Sequence, residues 1–288
     1  MYIYEKNSDV FETHRLSNSK NDTFIEVVPE RGGIIASFVV KGKSVFYLDR
    51  ATLIDPNKNI RGGNPILFPI CSYLKNDTYS LNGHPYTMKQ HGFARNCAWN
   101  IADVSTEEDS ASIKIELQDN EKTYSQYPFK FKLIYEYKLS GSTLSVNATY
   151  INQDEQPMPF YAGYHPYFQV EDKNQLEIEI PSKTHTESIN NSLVNNRFNF
   201  EQEEINVFFQ DLTAQSLHIT DPVQKRKIYV RFDPIYKHIV VWALKGKNFI
   251  CVEPWMASTD ALNTKEDLVY IQPGQEMKSQ VAYEVEGL

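Results

Sequence analysis

Apolar and polar residues alternate along this chain with a period of two. Phe129, Phe131, Leu133, Tyr135, Tyr137 and Leu139 are interleaved with Lys130, Lys132, Ile134, Glu136 and Lys138. Successive side chains on a strand point to opposite faces, so this spacing predicts one long antiparallel strand with a buried face and a wet face. Ser140-Gly141-Ser142 breaks the run, and Leu144, Val146, Ala148 and Tyr150 resume it, which predicts a hairpin. The alternation recurs at Ile113, Ile115 and Leu117, at Leu176, Ile178 and Ile180, at Ile228, Val230 and Phe232, and at Val281, Tyr283 and Val285. Helical spacing is not sustained anywhere for three turns; Thr123 to Tyr127 reads as a single helical turn before Pro128. The polar stretches 171–175 and 190–199 read as loops. Many strands with frequent turn signals, no compositional break and no internal repeat predict an all-β fold. The expected architecture is a large antiparallel β-sandwich, one domain spanning residues 1–288.

Composition narrows the function. The aromatic fraction of 13%, with 18 Tyr and 16 Phe, suits pleated, half-buried surfaces. A formal net charge of −8 argues against a broad basic face, so no nucleic-acid partner is expected, while a local basic pocket for a phosphate stays open. Cys71, Cys97 and Cys251 form neither a CxxC nor a disulfide framework, so no metal is expected. Met1 to Arg15 lacks the basic-then-apolar pattern of a secretory signal, and no apolar run reaches bilayer length. The expectation is a cytoplasmic protein without a membrane partner, a monomer or a homodimer.

Four segments depart from ordinary strand or turn. In Arg61-Gly62-Gly63-Asn64-Pro65-Ile66-Leu67-Phe68-Pro69, glycines open unusual backbone angles and the two prolines stiffen the rest of the loop. An Arg beside so rigid a loop can present a fixed donor fork to an oxygen-rich ligand; the competing reading is a structural turn with a solvated Arg. Lys89-Gln90-His91-Gly92-Phe93-Ala94-Arg95 gathers a His, an Arg and an amide around a Gly; taken in isolation, a loop with a surface His is the simpler reading. In Ala162-Gly163-Tyr164-His165-Pro166-Tyr167-Phe168, aromatic neighbours push His165 toward its neutral form. A buried structural His is the alternative. In Ile250-Cys251-Val252-Glu253-Pro254-Trp255-Met256, Glu253 interrupts an apolar run, and a carboxylate in such company tends toward a raised pKa, as a general base needs. A Glu at a wet strand end is the alternative there. His84 lies in a turn, His218 and His238 fall on strands, and His14 and His185 have no supporting context.

In this order the segments resemble the aldose 1-epimerase family, including its bacterial hexose-1-epimerase and hexose-6-phosphate epimerase branches. The resemblance starts at Pro29-Glu30-Arg31-Gly32-Gly33, passes through the two loops above and Tyr127-Pro128-Phe129, and ends at Cys251-Val252-Glu253-Pro254-Trp255. It implies a galactose mutarotase-like sandwich with a sugar or sugar phosphate bound across one sheet. It also implies roles: His165 as general acid, Glu253 as general base, His91 orienting the sugar near its ring oxygen, and Arg61 on substrate oxygens. Gln90 and Arg95 join the binding set. Family members of the galactose type place a substrate-binding Asp between the His and the late Glu. Here Asn206 or Asp211 could fill that position, and the expected binding set includes Asp211.

Interconverting anomers requires the C1 hydroxyl to lose a proton while the ring oxygen gains one. An ionised Glu253 would take the first, and an imidazolium at His165 would supply the second, with Arg61 and His91 as fixed donors. No cofactor is needed. Two rivals stand beside this reading: a non-catalytic sugar sensor on the same scaffold, and a metal enzyme using two His and one Glu.

Overall fold

The computed structural model describes residues 1–189, 192–194 and 197–287. Strands dominate, and the longest helix among the described residues is Arg50–Ile54. An eight-stranded antiparallel sheet runs in the order Glu177–Glu179, Ser216–Asp221, Arg226–Phe232, Glu276–Gly287, Thr143–Asn152, Phe131–Ser140, Ala111–Gln118 and Asn100–Thr106. A seven-stranded sheet runs Ser182–Glu187, Glu204–Leu212, His238–Leu244, Phe249–Trp255, Gly163–Tyr164 and Ile66–Leu67, with Tyr167–Gln169 also paired to Phe249–Trp255. The chain begins with a five-stranded sheet of Tyr2–Ser8, Glu12–Asn18, Thr23–Val28, Ile34–Val40 and Lys43–Ser44.

The period-two pattern explains how these layers meet. Ile113, Ile115, Leu133, Tyr135, Tyr137, Leu144, Val146 and Tyr283 of the large sheet are buried in one cluster. Ile205, Val207, Ile239, Val241, Ile250 and Val252 of the seven-stranded sheet belong to the same cluster. The core thus lies between two antiparallel sheets, the expected sandwich. Each large apolar side chain buried there stabilises by about 1.5–3 kcal/mol. Buried tyrosines add a polar tip that must find a partner. Tyr137 Oη donates to the Gly33 carbonyl at 2.7 Å, Tyr127 Oη to that of Pro159 at 2.7 Å, and Tyr135 Oη to Tyr150 Oη at 3.0 Å.

Local expectations held with two adjustments. The hairpin closes with Ser140 opposite Thr143. The helical turn forms earlier than expected, at Glu121–Tyr124, because Asn120 caps it: its side chain accepts from Thr123 N at 3.1 Å while Thr123 Oγ1 accepts from Asn120 N at 2.9 Å. The polar stretch 171–175 contains a short 3-10 turn, Lys173–Gln175. Of 190–199, residues 190, 191, 195 and 196 lie outside the described residues; Leu193–Val194 pairs with Arg197–Phe198 as a small ribbon rather than a loop.

Candidate active site

The seven-stranded sheet has a second face, turned away from the core. With Ile250 and Val252 inward, Cys251, Glu253 and Trp255 must point outward. Cross-strand register then sets Val240 beside Glu253 and Asn206 beside Trp242. His165 comes from the link between two short strands pinned on either side: Gly163 pairs with Trp255, and Tyr167 pairs with Cys251. Held from both ends, its imidazole sits over the sheet with Nε2 at 3.4 Å from Glu253 Oε1. Tyr167 stacks on the ring at 4.8 Å and 14°, and Trp242 meets it edge-on at 5.7 Å. The other Glu253 oxygen accepts a hydrogen bond from Trp255 Nε1 at 3.2 Å.

Two loops close the cleft from above. Gly62 adopts φ 141°, and a Cβ there would fall 2.5 Å from the Leu48 backbone, so only glycine lets this segment lie against its neighbour. The loop presents Arg61, exposed, with its guanidinium 5.4 Å from the Trp242 ring. The second loop holds His91 at φ 68°, in the left-handed region. Two bonds hold it there: its backbone N–H donates to Ser72 O at 2.7 Å, and its ring Nδ1 donates to Cys71 O at 2.7 Å. Because a carbonyl can only accept, Nδ1 carries the proton and Nε2 is left as an acceptor. Half-buried Arg95 donates through Nη2 to Gln90 O at 3.1 Å, with Gln90 exposed at the rim. Together these elements enclose a cleft of ≈ 270 Å³, near the small end of ligand pockets at roughly 300–1,000 Å³.

Burial dominates the electrostatics. It holds His165 well below its ordinary 6.5, and nearby His91 and Arg95 push in the same direction. It drives Glu253 well above its ordinary 4.5, against smaller opposing effects of the Trp255 hydrogen bond and the Arg95 charge. His91 is pushed down to about 3 by burial and by Arg95. These shifts revise two expectations. With Nδ1 engaged at the Cys71 carbonyl and the ring pushed toward neutrality, His91 offers Nε2 as an acceptor and not the donor that was expected. Burial pushes the His165–Glu253 pair toward its uncharged form and away from a ready-made imidazolium and carboxylate, because neither charge is solvated there.

A family profile described as aldose 1-epimerase matches residues 15–284. The chain belongs to the aldose 1-epimerase family. The Slr1438 protein of Synechocystis sp. PCC 6803 is 32% identical with both chains covered at 100%, and its structure superposes with a TM-score of 0.93. LacX of Lactococcus lactis is 26% identical over 231 residues, 70% of this chain and 76% of that protein. A Cenchrus ciliaris protein provisionally named glucose-6-phosphate 1-epimerase is 25% identical over 268 residues, 84% of this chain and 75% of its own length.

In this member of the aldose 1-epimerase family, Arg61, Gln90, His91, Arg95, His165 and Glu253 all line one cleft. Asp211 does not. It is exposed, accepts from Thr184 Oγ1 at 2.6 Å, and borders a separate depression with Lys237 and His238. Glu204 and Asn206 face the cleft along their strand, whereas Asp211 lies five positions beyond Asn206, at a left-handed φ of 52° that interrupts the alternation. Asn206 is therefore the residue of that pair which reaches the site. The structure adds Glu204 and Trp242, joined by a 2.7 Å bond from Trp242 Nε1 to Glu204 Oε1. Neither carries a local signal, because each looks like an ordinary strand residue until its neighbours are known. Among the described residues one cluster has metal-ligand chemistry: His165, Cys251 and Glu253, with ligand atoms within 4.8 Å of one another. It differs from the two-His, one-Glu set considered from sequence in having Cys251 where a second His was expected. No helix among the described residues is long and apolar enough to cross a membrane.

Proposed function

We propose that this protein interconverts the α- and β-anomers of an aldohexose, with the hexose 6-phosphate preferred over the free sugar, by acid–base opening and closing of the ring. The observation that carries this reading is the buried His165–Glu253 pair, 3.4 Å apart, at the floor of a cleft sized for a small ligand. Ring opening moves one proton off the C1 hydroxyl and one onto the ring oxygen. The shared proton first passes from Glu253 to His165 across the 3.4 Å contact; the Glu253 carboxylate then takes the C1 proton while His165 gives its proton to the ring oxygen, the C1–O5 bond breaks, the aldehyde turns, and closure runs the transfers backwards. A pair that holds one proton can do this without outside help, since each turnover returns it to the same proton count. His91 Nε2 accepts from a sugar hydroxyl, and Arg61 and Arg95 donate to substrate oxygens.

The pH dependence follows from that count. The productive form has one proton on the pair, wherever it sits. Protonation of His165 removes it at low pH, and burial moves that limb well below 6.5. Loss of the Glu253 proton removes it at high pH, and burial moves that limb well above 4.5. The expected kcat/KM profile is a bell whose acid limb lies well below 6.5 and whose alkaline limb lies well above 4.5. Activity that already declines as pH falls through 6.5 would mean an unshifted His165 and would contradict this pairing.

Charge supports a phosphorylated substrate. Arg61 and Arg95 share the cleft with two strand carboxylates: Glu253, whose charge burial disfavours, and Glu204, which already receives the Trp242 N–H. Arginine forks match phosphate oxygens in pairs. Repulsion from the protein's net charge of −8 is screened beyond about 8 Å at physiological salt. Polarimetry on freshly dissolved α-anomers of free hexoses and hexose 6-phosphates tests the reading. Arg95→Ala is expected to raise KM for the 6-phosphate by about tenfold or more beyond any change for the free hexose. Equal losses would leave a neutral aldose as the substrate. Tight sugar binding without faster anomerisation would leave a sugar-binding protein.

A further inference from the structure

The turn Pro29–Gly33 opens the family resemblance yet touches neither member of the acid–base pair. We infer that it is a bracket that sets the two cleft arginines in register, with Arg31 as a positioning residue for the Arg61 loop. Arg31 spends its whole guanidinium on one short stretch of backbone. Its Nε donates to Leu53 O at 2.8 Å, and its Nη2 to Thr52 O at 3.2 Å, Asp55 O at 2.9 Å and Lys58 O at 3.0 Å. Its Nη1 reaches Pro56 O at 3.4 Å. Those carbonyls end the helix Arg50–Ile54 and the coil after it, groups with no partner inside a helix. The coil continues directly into Asn59, Ile60 and Arg61, all of which line the cleft.

The connection to Arg61 is explicit at Thr52. Its carbonyl is held by Arg31, and its hydroxyl accepts the backbone N–H of Arg61 at 2.8 Å. From the other side, Arg61 O accepts from Asp49 N at 2.8 Å. The neighbouring glycine secures the second arginine. Gly32 sits at φ 78°, and a Cβ there would lie 2.2 Å from the carbonyl oxygen of Arg95. Its N–H donates to Cys97 O at 3.1 Å, just beyond Arg95. One five-residue turn therefore touches the backbone supports of both guanidinium groups, through Arg31 on one side and Gly32 on the other. A fork with five N–H donors does this for carbonyls spread over several residues; a lysine, a compact charge with three, cannot match it.

This inference rests on the sugar-binding role proposed for Arg61, so its test has one arm independent of activity. Hydrogen exchange on Arg31→Ala should show faster exchange confined to amides of residues 52–61. In the same variant KM should rise on the order of tenfold, with kcat within about twofold, as expected when ground state and transition state lose binding alike. Arg31→Lys should fall between the variant and the wild type. Thr52→Val, which removes the hydroxyl that holds Arg61 N–H, should reproduce the KM effect without touching Arg31. Unchanged exchange over 52–61 would overturn the bracket. Faster exchange with unchanged KM would overturn its link to the cleft, and protection lost throughout the sheets would make Arg31 a general stability residue. A wild-type protein that anomerises no sugar would sink the functional reading while exchange still reported on the bracket.

Discussion

Glu253→Gln is expected to lower kcat by roughly 10²–10⁴-fold while the sugar still binds, because the amide keeps the shape of the side chain and cannot accept the C1 proton. The Trp255 N–H keeps an acceptor in the amide oxygen, so the outer face of the sheet should stay in place. The same substitution has a second, opposite effect on stability. Burial raises Glu253 in the folded state, so the native protein retains a proton that the unfolded chain releases above pH 4.5. Stability from this group is therefore complete below pH 4.5 and is lost as pH climbs through the raised folded value, at about 1.4 kcal/mol per pH unit for one proton. Glutamine carries no such dependence. Thermal melts should show Glu253→Gln gaining on the wild type as pH rises, an inactive protein that outlasts the active one in alkali. A sugar affinity lost outright, with turnover per bound sugar unchanged, would make Glu253 a binding residue only.

His165→Ala is expected to cost roughly 10²-fold or more in turnover with the fold intact. The imidazole is held by stacking on Tyr167 and by the edge of Trp242, and its backbone N–H donates to Pro65 O at 3.2 Å independently of the side chain. Truncation leaves a cavity beside those rings, and the melting temperature should fall modestly. It also removes a group whose folded pKa lies below the unfolded one. The stability tied to that depression is present above pH 6.5 and is lost as pH falls toward the folded value, so the acid side of the stability profile should flatten in the variant. A folded His165→Ala protein that anomerises sugar at the wild-type rate would remove His165 from the mechanism.

Much of this could be read from the chain before folding. Strands such as Phe131–Ser140 and Thr143–Asn152 were legible because period two has one geometric meaning, and the buried face had to be apolar. Glu253 was legible because a carboxylate inside Ile250-Cys251-Val252 and Pro254-Trp255 contradicts its surroundings, and such contradictions mark sites. Glu204, Asn206 and Trp242 were harder. They are cleft residues only because Glu204–Leu212 lies next to His238–Leu244, a pairing between segments far apart in sequence. Asp211 is a related case: residue type favours it, but it sits beyond the cleft end of the strand at a left-handed backbone angle, beside a separate depression. His91 illustrates a third case. The family resemblance, not its own context, implies a sugar-orienting role, and only the bond to the Cys71 carbonyl shows that Nε2 is the nitrogen left as an acceptor.

The central claim is that one buried acid–base pair exchanges anomers at equilibrium. Saturation-transfer NMR between the α and β anomeric protons of a hexose 6-phosphate measures that exchange with no net reaction and no coupling enzyme. The wild-type protein should raise the exchange rate in proportion to its concentration, well above the uncatalysed rate, and Glu253→Gln should return it to the uncatalysed value. Exchange that is unchanged by the wild-type protein over a panel of hexoses and their 6-phosphates, or that survives Glu253→Gln undiminished, would contradict the account.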